Sequence, residues 1–323
     1  MVRAWTGETW AMPRWTVADA PSLVGRTALV TGGTSGLGLE TAAALASRGA
    51  RVLMAGRDPR RTSAAVERAA GGAAEGGIAE PLPLDLASLA SISSAVDQVG
   101  ERVDHLDVLV NNAGVMATPY GRTEDGFETQ IGTNHLGHFA LTAGLLPLLL
   151  ASDSPRVVTV SSTAHKMGTV HPDDLHYDHR RYSAWPAYGA SKLANLLFTT
   201  ELDRRAGEAG TSLVAVAAHP GFAATNLQFA GPKYAQNAVG RSATKLMNAV
   251  FSQSAADGAL AQVYAATMPD VGGNEFFGPD GMRESRGGPT RVGRSDAAKD
   301  TGSARRLWEA SANQTQTEPA FTS

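Results

Sequence analysis

Tyr188 and Lys192 stand four residues apart in Tyr188-Gly-Ala-Ser-Lys192, so on a helix they share one face and the ammonium lies near the phenol. Such a pair can serve as an acid–base unit. A tyrosine of pKa about 10 needs about 4 kcal/mol of preferential phenolate stabilisation to reach ~7, and a nearby cation supplies it. Taken alone, the spacing also fits an ordinary surface pair. The stretch Thr31-Gly-Gly-Thr-Ser-Gly-Leu-Gly38 points to a second kind of chemistry. It lies between the apolar run Ala28-Leu-Val and a helix-like segment, and a glycine turn there lets backbone N–H groups and the helix dipole hold a pyrophosphate. Its spacing, Gly32-x3-Gly36-x-Gly38, has one residue more inside the turn than the plain dinucleotide fingerprint.

The elements that must position these groups follow from hydrophobic patterning. Short β-type runs alternate with helical stretches from residue 27 to about 280, the pattern of a doubly wound α/β fold of Rossmann type. Strands are expected near Thr27–Thr31, Arg51–Ala55, Ala79–Leu84, Leu106–Val110, Arg156–Ser161, Leu213–Ala218 and Asn274–Phe277. These make a mainly parallel, seven-stranded sheet with helices on both faces. Helices are expected at Leu39–Arg48, Arg60–Ala70, Leu89–Val99, Gly126–Leu150, Ala187–Ala206 and Ser254–Thr267. Ligands of such sheets bind at the carboxyl ends of strands. Those ends carry Arg57 after the second strand, Asp85 after the third, Asn111-Asn-Ala-Gly114 after the fourth and Ser161-Ser162 after the fifth. Asp58-Pro59 reads as an N-cap followed by proline at the first helical position. With Asp58 committed to capping, the charge facing the adenine ribose is Arg57, whose guanidinium suits a 2′-phosphate. NADP(H) is therefore expected in preference to NAD(H). Asp85 suits either an adenosine anchor or a helix cap.

One recurring unit argues for a single domain at residues 25–285, preceded by an arm at 1–24 and followed by a polar tail at 286–323 rich in Gly, Arg and Ser. Lys plus Arg is 28 against 31 for Asp plus Glu, so no broad cationic surface is available for nucleic acid. The absence of cysteine excludes disulfides, thiolate metal sites and a cysteine nucleophile. No apolar run reaches the ~20 residues of a membrane span, and a cytoplasmic location is expected. Trp5, Trp10 and Trp15 share no helix or strand face and are expected to pack the arm onto the body.

In conjunction, these motifs resemble the short-chain dehydrogenase/reductase family over about residues 25–285. Thr31–Gly38 looks like its cofactor turn, Asn111-Asn-Ala-Gly114 its sheet-stabilising motif, and Asn134, Ser162, Tyr188 and Lys192 its catalytic tetrad. Within the family, Thr133-Asn-His-Leu-Gly-His-Phe139, Tyr188-Gly-Ala-Ser-Lys-Leu-Ala-Asn195 and His219-Pro-Gly221 resemble the retinol-dehydrogenase-like branch. Phe276-Phe-Gly-Pro-Asp-Gly281 resembles its bacterial members. The resemblance implies NADP(H) held by Gly32, Ser35, Gly36, Leu37, Gly38, Arg57, Asp85, Leu86, Asn112, Gly114, Tyr188, Lys192, Pro220 and Gly221. It also implies interconversion of an alcohol with its aldehyde or ketone, with Tyr188 as general acid/base. Ser162 would hold the substrate oxygen, and Asn134 a water linking Lys192 to solvent. Family members commonly pair through the helices holding Asn134 and Tyr188, which makes a homo-oligomer an expectation too.

The substrate side is expected in a loop at about 222–250 and in the loop after Ser162. Met116, Met167, Trp185, Phe222, Phe229 and Phe277 are its apolar candidates and favour a lipophilic small molecule. The loop after Ser162 carries His165, His171, His176 and His179. Their spacing matches no zinc motif and the family chemistry needs no metal, so none is expected. The competing reading is a catalytically silent NADP(H)-binding sensor or interaction protein. A sensor, however, has no need of all four tetrad residue types together.

Overall fold

The computed structural model describes residues 14–221 and 253–321. Among these, the strands β1 (Thr27–Thr31), β2 (Arg51–Gly56), β3 (Ile78–Pro83), β4 (Val108–Asn111), β5 (Arg156–Val160), β6 (Val214–Ala218), β7 (Phe276–Pro279) and β8 (Pro289–Arg291) form one sheet. Their order is β3-β2-β1-β4-β5-β6-β7-β8. Every pairing is parallel except that of β7 with β8. The eighth strand corrects the expected seven. It is a three-residue edge that starts on a proline, too short for a hydrophobic period and tolerant of the missing N–H because it lies outermost.

Among the described residues the α-helices are α1 (Gly36–Ser47), α2 (Pro59–Ala70), α3 (Leu89–Gly100), the single turn α4 (Thr129–Ile131), α5 (Gly137–Leu150), α6 (Ala184–Glu208), α7 (Ala255–Thr267) and α8 (Thr301–Thr315). Alternate strand residues feed two apolar layers. Leu29, Leu53 and Leu109 pack with Phe139 and Leu145 on one face, and Val30, Met54 and Val110 with Leu39 and Leu45 on the other. Each such side chain contributes ~1.5–3 kcal/mol by leaving water. From β1 the chain crosses to β2 and β3 on one side, then returns to β4 on the other. The strand ends therefore diverge between β1 and β4, the place where open sheets bind ligands.

Two other expectations are corrected. The helix expected at 126–150 begins at Thr129 and carries a π-helical segment, Gly132–Leu136, between α4 and α5. The end of the chain is not a loose tail. Ala304, Leu307, Trp308, Ser311 and Thr315 recur at helical spacing and are buried along one face of α8. The Trp308 ring lies 5.0 Å from that of Phe139 and 5.9 Å from that of Phe198. At the other end, Trp15 packs edge-on against Tyr264 at 5.2 Å and Arg14 pairs with Asp257 at 3.3 Å. Trp5, Trp10, Phe222, Phe229 and the loop at 222–250 lie outside the described residues.

Candidate active site

A cleft of about 310 Å³ opens at the divergence of β1 and β4. Gly32, Ser35, Gly36, Leu37, Gly38, Arg57, Asp85, Leu86, Asn112 and Gly114 all line it. The glycine turn has the shape that its residues allow. Gly32 and Gly36 adopt φ of 66° and 54°, a region that costs side-chain-bearing residues strain. A Cβ on Gly38 would lie 2.3 Å from the Gly32 carbonyl oxygen and 2.5 Å from Asn112 Nδ2. The Asn112 amide pins the turn by donating to the Thr31 carbonyl at 2.8 Å. Ser35 occupies the N-cap of α1 without capping it through its side chain, so the first-turn N–H groups face the cleft. This cradle fits a pyrophosphate.

At the far wall, Asp58 accepts the Arg60 and Arg61 N–H groups at 2.9 and 3.2 Å, the cap expected from Asp58-Pro59. Arg57 and Arg61 both line the cleft, as does Thr34. Arg61 is not among the residues expected from the sequence, although it follows Arg57 at i+4. Asp85 lines the cleft and accepts the Ala87 N–H at 3.0 Å in the turn before α3, whereas the residue that caps α3 is Ser88, so the helix-cap alternative for Asp85 is corrected.

The tetrad candidates are not part of the cleft's lining; Asn134 and Lys192 stand next to Gly114, which is. A Cβ on Gly114 would come within 3.0 Å of Asn134 Oδ1 and 3.5 Å of Lys192 Nζ. Lys192, 4% exposed, donates to the Val160 carbonyl at 3.1 Å, and its Nζ lies 5.8 Å from the Tyr188 ring centroid. Ser162, two residues past β5, caps the turn Thr163–Met167 by accepting the Ala164 N–H at 3.2 Å, and it acts to lower the Tyr188 pKa. Asn134 sits within the π-helical segment, a feature frequent at functional sites. Its Oδ1 accepts the Val115 N–H at 2.7 Å, while its Nδ2 donates to the Val115 carbonyl and to Ser191 Oγ, each at 2.9 Å. Burial lowers the Lys192 pKa to about 8. Burial also pushes the Tyr188 phenol up to about 12, with Ser162 opposing. Lys192 is not among the groups that shift the phenol, and desolvation of the phenolate sets the direction.

Pro220 and Gly221 lie outside the lining of this cleft. Gly221, at φ 66°, donates its N–H to His219 Nδ1 at 3.1 Å, and Gln253 Nε2 donates to the Pro220 carbonyl. His219 Nε2 lies 3.0 Å from Glu284 Oε2, and this contact holds the Glu284 carboxyl below the usual range. Of the apolar candidates, Trp185 is 45% exposed and sets its indole edge-on to Tyr188 at 6.2 Å, and Met167 is 60% exposed. Phe277 is corrected from pocket to core, packed beneath the sheet beside Tyr264. The histidines of the loop after Ser162 are not drawn together. His165 Nδ1 donates to the Ser162 carbonyl at 2.7 Å, whereas His176 Nδ1 accepts the Glu128 N–H at 3.2 Å. Among the described residues no group of three such ligands is placed to hold a metal ion, and no helix is long and apolar enough to cross a membrane.

Comparison with known proteins agrees with this geometry. The model of the short chain dehydrogenase family matches residues 26–233. Retinol dehydrogenase 14 of Mus musculus is 41% identical over 304 residues, covering 91% of this chain and 86% of that protein. An uncharacterized protein from Mycobacterium paratuberculosis has a crystal structure that superposes with a TM-score of 0.78 at 46% identity, covering 95% of this chain and 99% of that one. The Pseudomonas aeruginosa RhlG/NADP complex superposes at 0.60 and 26% identity, covering 76% of this chain and 91% of that one. The chain belongs to the short-chain dehydrogenase family and is by that membership an NAD(P)-dependent oxidoreductase.

Proposed function

We propose that this chain reduces the aldehyde or ketone of a lipophilic small molecule with NADPH, and runs the reverse oxidation with NADP⁺. The observation that carries the reading is that Asn134 and Lys192, with Tyr188 beside Lys192, stand next to Gly114 of a cleft whose turn has the shape of a pyrophosphate cradle. The bound nicotinamide supplies or accepts hydride. Gly32, Ser35, Gly36, Leu37 and Gly38 would hold the pyrophosphate, Asp85 and Leu86 the adenosine, and Asn112, Gly114, Lys192, Pro220 and Gly221 the nicotinamide half. Arg57, joined by Arg61, would take the 2′-phosphate, and the NADP complex of a structural neighbour supports that choice.

Tyr188 is the proton donor in the reductive direction. A phenol with a pKa of about 12 keeps its proton at neutral pH and passes it to the oxygen of the carbonyl as charge develops there. Ser162 fixes that oxygen, and Lys192 stabilises the phenolate left behind. The lipophilic substrate is supported by the exposed Trp185 and Met167, and by the retinol named in the relative's activity. The test is steady-state turnover of a panel of apolar aldehydes and ketones, followed by reduced-nicotinamide absorbance with NADPH and with NADH. Turnover with NADPH is expected. Tight NADPH binding with no turnover across the panel would favour the sensor instead.

A further inference from the structure

His138, in the first turn of α5, is 1% exposed and has no part in the chemistry above. Its hydrogen bonds admit one arrangement. Nδ1 lies 3.0 Å from the Asn134 backbone carbonyl, an acceptor only, so Nδ1 carries the proton. Nε2 is then an acceptor, and it lies 2.9 Å from Thr31 Oγ1. That hydroxyl already accepts the N–H groups of Asn112 and Ala113 at 2.9 and 3.0 Å, which leaves its hydrogen free to donate. The alternative acceptor, the Val110 carbonyl, is more distant at 3.3 Å. One neutral imidazole thus ties the backbone of Asn134 to the start of the glycine turn and the end of β4.

Asn134 itself has little freedom left. Its amide is spent on Val115 and Ser191, and its carbonyl is the group that His138 holds. The charged and titratable neighbours of His138 are Lys192 on α6 and His135 one turn back. Burial keeps the imidazole neutral, with its pKa lowered to about 4. It therefore holds position and does not relay protons at working pH.

We propose that His138 is a positioning residue for the tetrad, its Nδ1–H fixing the Asn134 carbonyl so that Lys192 and Tyr188 keep their relative placement. The proposal rests on the functional reading above. Three variants separate its parts. An asparagine amide can reproduce the Nδ1 donor, a glutamine amide reaches the place of Nε2, and leucine offers neither. With NADPH saturating, His138→Asn should keep wild-type kcat and pH profile. His138→Gln and His138→Leu should lose about ten- to a hundredfold in kcat, as small misplacements of reacting groups do. Their pH–kcat profile should be displaced, while NADPH affinity and the folded fraction stay at wild-type level. Wild-type kcat and profile in His138→Leu would overturn the proposal. So would retention in His138→Gln with loss in His138→Asn, or equal losses in all three with an unmoved profile. Tyr188→Phe in the same assay reports on the underlying reading. If it turns over, the tetrad assignment fails; if it is dead and the His138 variants are normal, only this proposal fails.

Discussion

Lys192 donates to the Val160 carbonyl at 3.1 Å while its ammonium stands 5.8 Å from the centroid of the Tyr188 ring. Burying that charge comes at a cost to the fold. A pKa lowered from 10.5 to about 8 corresponds to about 3 kcal/mol of destabilisation wherever both folded and unfolded states would hold the proton.

Lys192→Met should therefore raise the melting temperature at pH 7 and abolish turnover. The sign follows from proton counting. Between about 8 and 10.5 the unfolded chain binds more protons than the folded one, so wild-type stability rises with pH across that window and the advantage of the methionine disappears above it. Thermal melts of both proteins from pH 6 to 11 check this, and curves that stay parallel throughout would contradict it.

Under the proposed function, Arg57→Ala and Arg61→Ala should each weaken NADP(H) by about ten- to a hundredfold and leave NAD(H) nearly unchanged, since each would remove one charge-assisted contact with the 2′-phosphate. Gly38→Ala should weaken both cofactors alike, because its methyl group would lie 2.3 Å from the Gly32 carbonyl oxygen and push the turn out of shape. Isothermal titration of the three variants with each cofactor distinguishes the two patterns. If either arginine variant loses both cofactors equally, that side chain does not read the 2′-phosphate.

Trp308→Ala should cost about 3–5 kcal/mol, the usual range for deleting a large buried aromatic. The indole is 2% exposed and sits against Phe139, Phe198 and the Arg205 guanidinium. Urea unfolding measures the loss. A change below about 1 kcal/mol, the scale of a surface substitution, would mean that α8 is not part of the core.

The parts of this site legible in the sequence are those set by local chemistry. Glycines at 32, 36 and 38, the Asp58-Pro59 cap and the four-residue step from Tyr188 to Lys192 each fix geometry within a few residues. What escaped depends on long-range placement. His138 lies in a motif noticed for its neighbours, but its partner Thr31 is 107 residues away. The π-helical segment that holds Asn134 leaves no compositional trace. The apolar stripe of α8 is one tryptophan and one leucine among small and polar residues, so its composition looks like that of a tail while its spacing is that of a packed helix. Arg61 lies inside α2, and its reach into the cleft depends on how that helix is set against the sheet.

The central claim is that Tyr188 delivers the proton, and Tyr188→Phe tests it most directly. The change removes one hydroxyl and leaves the ring beside Lys192 and Trp185. NADPH affinity measured by titration should stay at the wild-type value, while single-turnover reduction of a carbonyl substrate falls by about 10²–10⁴-fold, the range of general acid–base catalysis. A variant that binds NADPH normally and keeps more than about a tenth of the wild-type rate, well outside that range, would contradict the account.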